Sequence, residues 1–367
     1  MDMFYDPAKT FEENYTAGPY IDDDKDYRDD TVEPAYTFLG FPIQFPFGIA
    51  AGALPTSRHT AAAFRLGYDV NVYKTQRAGE FPCNPFPNVL PLAIDGDLTL
   101  EKLRQPLVVA PEYPSDLSKL NITNSFGVPS PDPSVWTVDM QQAQAGAGKG
   151  QLLIMAVMGT IRDGYGPEEY YDDFALSAAL AKDAGAQVVE INLSCPNVAS
   201  EGVICYNHDA VLEICRRSKA AIGDTPLVIK IGYFSPDQQT TLEKIVRDVS
   251  PYVAAISAIN TLQGTIVNAD GSQALPGGPG RAKSGVCGAG IRWAGLDMVQ
   301  RLDSLRKRGG YTYEIIGVGG VMQPADFHAY RAAGADLVQA VTAPMWNPLL
   351  AQEVRRSVVS RVSLGMG

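Results

Sequence analysis

The chain has 367 residues, 46% of them hydrophobic, so it can build one large or two small domains around a sizeable core. Its net charge of −11, without a long Lys/Arg run, argues against a nucleic-acid-binding surface. No apolar run reaches the roughly 18 residues of a membrane-spanning helix, and the acidic, aromatic N-terminus resembles neither a signal nor a transit peptide.

The cysteines and histidines show no metal-site pattern. The five cysteines contain no CxxC pair, which indicates reduced thiols in a cytoplasmic protein; they are Cys83, Cys195, Cys205, Cys215 and Cys287. The three histidines stand in unrelated contexts, so neither a metal site nor a His-based triad is expected. Cys215 lies on the apolar face of a predicted helix and is interpreted as a core residue.

The first third of the chain begins an alternation of strands and helices and then interrupts it. A strand is predicted over 47–51, a helix over 58–66, and a strand over 70–73 with Lys74 at its end. Residues 76–135 are rich in Pro, Gly and Asn, and we expect an insertion of small strands and loops over the mouth of the fold. Residues 1–40 are treated as an N-terminal extension, and 41–367 as the main domain.

The alternation resumes after residue 151. Strands are predicted over 152–158, 188–193, 226–231, 253–259, 314–318 and 336–341. Helical patterns follow these strands, and a Gly-rich loop is expected over 264–290. Eight strands with about eight helices predict an α/β fold, the (β/α)8 TIM barrel, whose active site lies at the C-terminal ends of the strands.

One stretch carries the main chemical signal. Residues 187–197 read Gln-Val-Val-Glu-Ile-Asn-Leu-Ser-Cys-Pro-Asn, a buried strand followed at once by polar groups. Cys195 could be a buried structural thiol or a group that exchanges a proton with a ligand. The functional interpretation is favoured because further polar residues stand at predicted strand ends: Lys74, Asn192, Lys230, Asn260 and Thr261.

Glycines after the last strands indicate a phosphate site. Gly319 and Gly320 follow strand seven and Thr342 follows strand eight, where barrels hold phosphate; the alternative is that the glycines only make tight turns. Lys230 is expected to face the barrel interior, where a buried ammonium needs an anion such as a reduced flavin. Lys74 could meet a second anion, such as a carboxylate, or be an ordinary surface lysine. Without a metal or a GxGxxG motif, we predict flavin mononucleotide (FMN) as the cofactor.

Several segments match a known family. They are Ala50-Ala51-Gly52, Tyr73-Lys74-Thr75, Asn84-Pro85, Asn124 to Pro129, Asn192 to Val198, Lys230, Asn260-Thr261, Gly317 to Gly320 and Gln339 to Ala343. In these segments the chain resembles the dihydroorotate dehydrogenases, and among them the class 1 enzymes that use a cysteine base. The resemblance covers about residues 40 to 350, and its most specific parts are Asn-Leu-Ser-Cys-Pro-Asn and Asn-Ser-x-Gly-x-Pro.

The resemblance implies oxidation of dihydroorotate to orotate in pyrimidine biosynthesis. Cys195 would remove the C5 proton while the C6 hydride passes to the flavin. The implied substrate-binding residues are Lys74, Asn124, Phe126, Gly127, Val128, Asn192, Asn197, Asn260 and Thr261. The implied FMN-binding residues are Ala50, Ala51, Gly52, Lys74, Thr75, Asn192, Lys230, Ile259, Gly290, Gly319, Gly320, Val341 and Thr342. The family also implies a homodimer.

Some positions depart from the pattern and leave alternatives open. Thr261 stands where class 1 enzymes usually have serine, and the loop 264–290 is long; both are similar to the flavin domain of dihydropyrimidine dehydrogenase. Val341 replaces a glycine, which is tolerable only if its φ is negative. The alternatives are a reductase of another pyrimidine and a non-catalytic FMN-binding barrel that serves as a partner subunit.

Overall fold

The computed structural model describes residues 2–194 and 203–363. Its strands are β1 (Tyr36–Phe38), β2 (Phe41–Ile43), β3 (Phe47–Ile49), β4 (Val70–Gln76), β5 (Val89–Pro91), β6 (Leu107–Val108), β7 (Asn121–Asn124), β8 (Leu152–Val157), β9 (Val188–Asn192), β10 (Leu227–Ile231), β11 (Ala255–Ala258), β12 (Leu262–Val267), β13 (Lys283–Gly288), β14 (Glu314–Val318) and β15 (Leu337–Ala340). Its helices are α1 (Phe11–Ala17), α2 (Ser57–Arg65), α3 (Pro133–Ala145), α4 (Pro167–Asp183), α5 (His208–Ile222), α6 (Gln239–Val249), α7 (Arg292–Gly309), α8 (Pro324–Ala333), α9 (Thr342–Trp346) and α10 (Leu350–Ser363).

The largest sheet is a parallel barrel. Its eight strands follow the order β3-β15-β14-β11-β10-β9-β8-β4, which places β3 and β4 at the seam. There the Asp69 N–H donates to the Phe47 carbonyl at 2.9 Å, and the Ile49 N–H donates to Asn71 Oδ1 at 3.1 Å. A Cβ at Gly48 would lie 1.7 Å from the Val70 carbonyl oxygen, so only glycine allows this approach. The predicted (β/α)8 barrel is confirmed.

The barrel interior is apolar at its N-terminal end and polar at the other. Because strand side chains alternate, every second residue points inward. Val70, Ile154, Val188 and Val228 belong to one buried interior cluster, and Phe38 of the β1–β2 hairpin packs into the same cluster. Two residues further along, β4 and β8 still place Val72 and Ala156 in this cluster, whereas β9 and β10 carry the buried pair of Glu190 and Lys230. Polar groups therefore begin to collect toward the C-terminal ends of the strands.

A second sheet covers those ends. It runs β5-β7-β13-β12-β6, and strands from both the insertion and the region 264–290 contribute to it. The prediction of a loop over 264–290 is therefore wrong for its two ends, which pair antiparallel from Leu262 against Val286. The predicted insertion also extended too far, because α3 begins at Pro133 with Asp132 as its N-cap. A small-strand cap over the barrel mouth is nonetheless present.

The N-terminal segment also packs on the barrel domain. A Cβ at Gly18 would lie 2.8 Å from Nε2 of His59, a fully buried residue of α2 whose Nδ1 lies 2.7 Å from Thr56 Oγ1.

Of the helices in the ranges given above, none is long and apolar enough to cross a membrane.

His59 makes stability pH-dependent. Burial, with a smaller effect of Arg58, lowers its pKa from 6.5 to about 3. The unfolded chain therefore takes up this proton first, and stability falls as the pH drops below about 6.5. We expect the free energy of unfolding to be about 2 kcal/mol lower at pH 5 than at pH 7 from this residue. Urea unfolding at the two pH values measures it, and His59→Gln, which does not titrate, should lose that difference; an unchanged difference would contradict the assignment.

Candidate active site

A large cavity lies at the C-terminal ends of the barrel strands, beneath the capping sheet. Its empty volume is about 1180 Å³, including the part open to solvent. Its lining comes from the ends of several barrel strands and from the capping sheet, the position at which (β/α)8 barrels bind their ligands.

The cavity brings together most of the residues that the sequence singled out. Its walls include Ala50, Ala51, Gly52, Lys74, Thr75, Asn124, Phe126, Gly127, Val128, Asn192, Lys230, Ile259, Asn260, Thr261, Gly319, Gly320, Val341 and Thr342. Gly290 is not among them; it is buried behind the wall, where its N–H donates to Asn121 Oδ1 at 2.7 Å. Cys195 and Asn197 lie outside the described residues.

Lys74 reaches the cavity through an irregularity in β4. The prediction placed it at the end of a strand, whereas it lies inside β4, where the pairing with β8 shifts register between Tyr73 and Gln76. Such irregularities re-aim side chains. Lys74 is buried, and its Nζ lies 5.6 Å from the ring centre of Phe126 and 5.8 Å from that of Phe11. The ordinary surface lysine is therefore excluded.

A buried ion pair lies on the floor of the cavity. Lys230 Nζ is 3.0 Å from Glu190 Oε1, and the two side chains are 3% and 0% exposed. Beyond this contact, the Glu190 oxygens have no hydrogen-bond donor in the described part of the chain. Lys230 faces the interior as predicted, but its anion is supplied by the protein itself. Glu190 was missed, although its place two residues before Asn192 puts it on the same inward face.

The pair predicts a specific stability effect. Lys230→Met leaves Glu190 buried without a cation, and we expect the free energy of unfolding of the apoprotein to fall by about 3–5 kcal/mol. Lys230→Met combined with Glu190→Leu should recover most of that loss, because two apolar side chains then replace the pair. Urea unfolding measures both; a single variant as stable as the parent would show that the pair does not form.

The loop after β7 is held in a rare conformation. Val128, a β-branched residue, has a φ of +56°, and Gly127 has +78°. The buried Arg77 fixes both, since its Nε donates to the Val128 carbonyl at 2.9 Å and its Nη2 to the Gly127 carbonyl at 3.1 Å. The Asn124 amide donates to Cys287 Sγ at 3.4 Å. Arg77 and Cys287 were not predicted, because their partners are distant in sequence.

Two cavity amides fix the end of β9. Asn192 Oδ1 accepts the Ser194 N–H at 3.1 Å, and the Asn260 side chain donates to the Ser194 carbonyl at 2.6 Å. Ser194 is followed directly by Cys195, so the described part of the chain stops here beside two residues of the cavity wall, Asn192 and Asn260. Thr261 Oγ1 is buried and has no hydrogen-bond partner among the described residues, so it is available to a ligand.

The glycines after β14 and the start of α9 line the same cavity. Gly320 has a φ of +68°, and a Cβ there would lie 2.6 Å from the Arg292 nitrogen, so the position requires glycine. Val341 has a φ of −130°, which confirms that a side chain is tolerated in place of glycine. Thr342 is buried at the first position of α9. Together these residues form a cradle in the cavity wall, where backbone N–H groups can donate to an anion.

The fold is a (β/α)8 barrel, and its large cavity lies at the C-terminal ends of the strands, where barrel enzymes hold their active sites. A family model described as dihydroorotate dehydrogenase matches residues 110–362. The chain is also 34% identical over 360 residues, 95% of each chain, to the dihydroorotate dehydrogenase of Dictyostelium discoideum. The chain thus belongs to the dihydroorotate dehydrogenase family.

More distant relatives match over part of the chain. The catalytic subunit of dihydroorotate dehydrogenase B (NAD(+)) from Alkaliphilus oremlandii is 29% identical over 48% of this chain and 55% of its own. The corresponding subunit from Methanocaldococcus jannaschii is 25% identical over 59% of this chain and 64% of its own. The predicted family is confirmed, and with it the prediction that the protein is an oxidoreductase of this family.

Proposed function

We propose that the protein oxidises dihydroorotate to orotate with bound FMN. The observation that carries the proposal is the convergence, in one cavity, of Lys74 and Asn124 with the amides of Asn192 and Asn260. A lysine with an amide suits a carboxylate, and two further amides suit the donors and acceptors of a pyrimidine ring. The similarity to the Dictyostelium enzyme over nearly the whole chain supports the same substrate.

The residues present fit FMN. The cradle of Gly319, Gly320 and Thr342 would hold the phosphate. The Thr261 hydroxyl, which has no hydrogen-bond partner among the described residues, and the Lys230 ammonium would face the flavin or its substrate. When bound, FMN supplies the hydride acceptor. The Glu190 carboxylate beside Lys230 keeps that amine in place whether or not a ligand is present, because the pair is buried in the barrel.

The chain's own groups supply binding, orientation and a proton acceptor. Lys74 and Asn124 would anchor the substrate carboxylate. The backbone N–H groups of the loop after β7, which Arg77 holds in place, would lie beside them. Asn192 and Asn260 would orient the ring, and they also hold Ser194. Cys195, the next residue, would take the C5 proton as a thiolate. A homodimer and a cytoplasmic location remain predictions.

Cofactor and substrate are tested together on the purified protein. Heating should release about one FMN per chain, identified by mass, and the holoprotein should turn over dihydroorotate with an artificial electron acceptor. Dihydrouracil is the matched control, since it lacks the carboxylate and should react far more slowly. A protein that oxidised dihydrouracil but not dihydroorotate would refute the substrate, and a protein that neither held nor took up FMN would refute the cofactor.

A further inference from the structure

The N-terminal segment, residues 2–20, is folded firmly onto the barrel domain. Phe4 is fully buried, with its ring centre 6.2 Å from that of Tyr68, and the Met3 N–H donates to the Tyr20 carbonyl at 3.0 Å. Inside the segment, the buried Asn14 side chain accepts the Asp6 N–H at 2.7 Å and donates to the Thr10 carbonyl at 2.9 Å. These contacts give the segment a defined position.

That position is the outer wall of the cavity. Tyr5 is one of the lining residues, and its ring meets that of Phe126 edge to face, with centres 5.5 Å apart. Phe11, the first residue of α1, lies 6.2 Å from Phe126 in a similar arrangement. Lys74 Nζ lies near the rings of both Phe11 and Phe126.

Among residues 2–20, Tyr5 is the one that lines the cavity, and the segment places no charged side chain in the lining. Phe11 and Asn14 are the buried residues of α1, while Glu12 and Glu13 of the same helix are exposed. The Tyr5 hydroxyl is buried without a hydrogen-bond partner among the described residues. Tyr5 therefore contacts Phe126 through its aromatic ring and not through its hydroxyl group.

We propose that Tyr5 and Phe11 are positioning residues for substrate binding, which hold Phe126 and the Lys74 ammonium at the carboxylate end of the cavity. This rests on the proposed function, which places the substrate carboxylate at Lys74. Edge-to-face contacts fix the Phe126 ring, and the attraction between a cation and the two rings beside it restricts the motion of the Lys74 side chain. The N-terminal segment thereby acts as part of the substrate site.

The test measures orotate affinity of the FMN-loaded protein from the change in its visible spectrum. Tyr5→Ala and Phe11→Ala should each raise the orotate Kd and the dihydroorotate KM by about 10-fold, with kcat within about twofold of the parent. Tyr5→Phe keeps the ring and should bind orotate like the parent. Tyr27→Ala, an exposed aromatic beyond the segment, is the matched control and should change nothing.

These measurements distinguish a failure of this inference from a failure of the proposed function. A parent protein that binds orotate, with unchanged Kd in both alanine variants, would overturn the inference and leave the function intact. Loss of affinity in Tyr5→Phe equal to that in Tyr5→Ala would also overturn it, since the hydroxyl would then be the active group. If an alanine variant fails to fold, Tyr5→Leu and Phe11→Leu keep apolar volume without a ring and should still raise Kd severalfold.

Discussion

Replacing Cys195 with serine is expected to leave FMN bound and to lower dihydroorotate turnover at neutral pH by about 10²–10⁴-fold. A positioned general base contributes roughly that factor, and a serine hydroxyl is far harder to deprotonate than a thiol. Residual turnover of the variant should rise with pH, because the deprotonated form is the active one. Steady-state kinetics from pH 6 to about pH 10, with the FMN content of each preparation, measure the effect.

A matched thiol controls for the substitution. Cys215 is buried on α5 and is absent from the cavity walls, so Cys215→Ala should keep turnover per bound FMN. Unchanged turnover in Cys195→Ser would end the assignment of Cys195 as the base. Loss of FMN together with activity would instead assign Cys195 a structural role.

Replacing Lys74 with alanine is expected to produce the second large effect, this time on binding. Removing one partner of a buried charged pair costs about 2–5 kcal/mol, which corresponds to a loss of orotate affinity between about 30-fold and 5,000-fold. Lys74 is also among the implied FMN-binding residues, so FMN content is measured alongside; most of the flavin should remain, because the proposed phosphate-binding residues Gly319, Gly320 and Thr342 follow other strands. Titration of the FMN-loaded protein with orotate gives the Kd, and kinetics give kcat/KM.

A surface lysine serves as the control for Lys74. Lys119 is an exposed lysine of the capping region that pairs with Asp116 at 3.5 Å and is absent from the cavity walls, so Lys119→Ala should bind orotate normally. A Lys74→Ala protein that bound orotate as tightly as the parent would exclude Lys74 from the carboxylate site. A loss of similar size for dihydrouracil, which has no carboxylate, would do the same.

The barrel was predictable because its signal is local. Short apolar runs followed by helical patterns repeat along the chain, and buried parallel strands read as continuous apolar segments. Helix α3 was missed because the exposed Val135 and Val138 lie among its buried residues, Trp136, Met140 and Ala143, and blur its apolar face. The hairpin β12–β13 escaped because its ends pair with each other and with β7 across long stretches of chain, a register that no local pattern contains.

The candidate site residues also fall into two groups: those that the sequence indicates and those that only the folded structure brings together. Lys74, Asn192, Lys230 and Asn260, which line one cavity, could be singled out from the sequence because polar groups within buried strands or at their ends are unusual. Glu190 was not found, because a single acid inside an apolar strand gives no hint of a partner until β9 and β10 lie side by side. The contact of Tyr5 with Phe126 joins residues far apart in the chain, so only the folded structure assigns the N-terminal segment a place at the cavity.

The most direct measurement is the visible spectrum of the purified protein as dihydroorotate is added without air. We expect a yellow flavoprotein whose FMN absorbance bleaches, with about one orotate formed per FMN reduced. A yellow protein that stays yellow on addition of dihydroorotate would contradict the proposed substrate, and a protein that cannot bind FMN at all would contradict the assignment of the cavity.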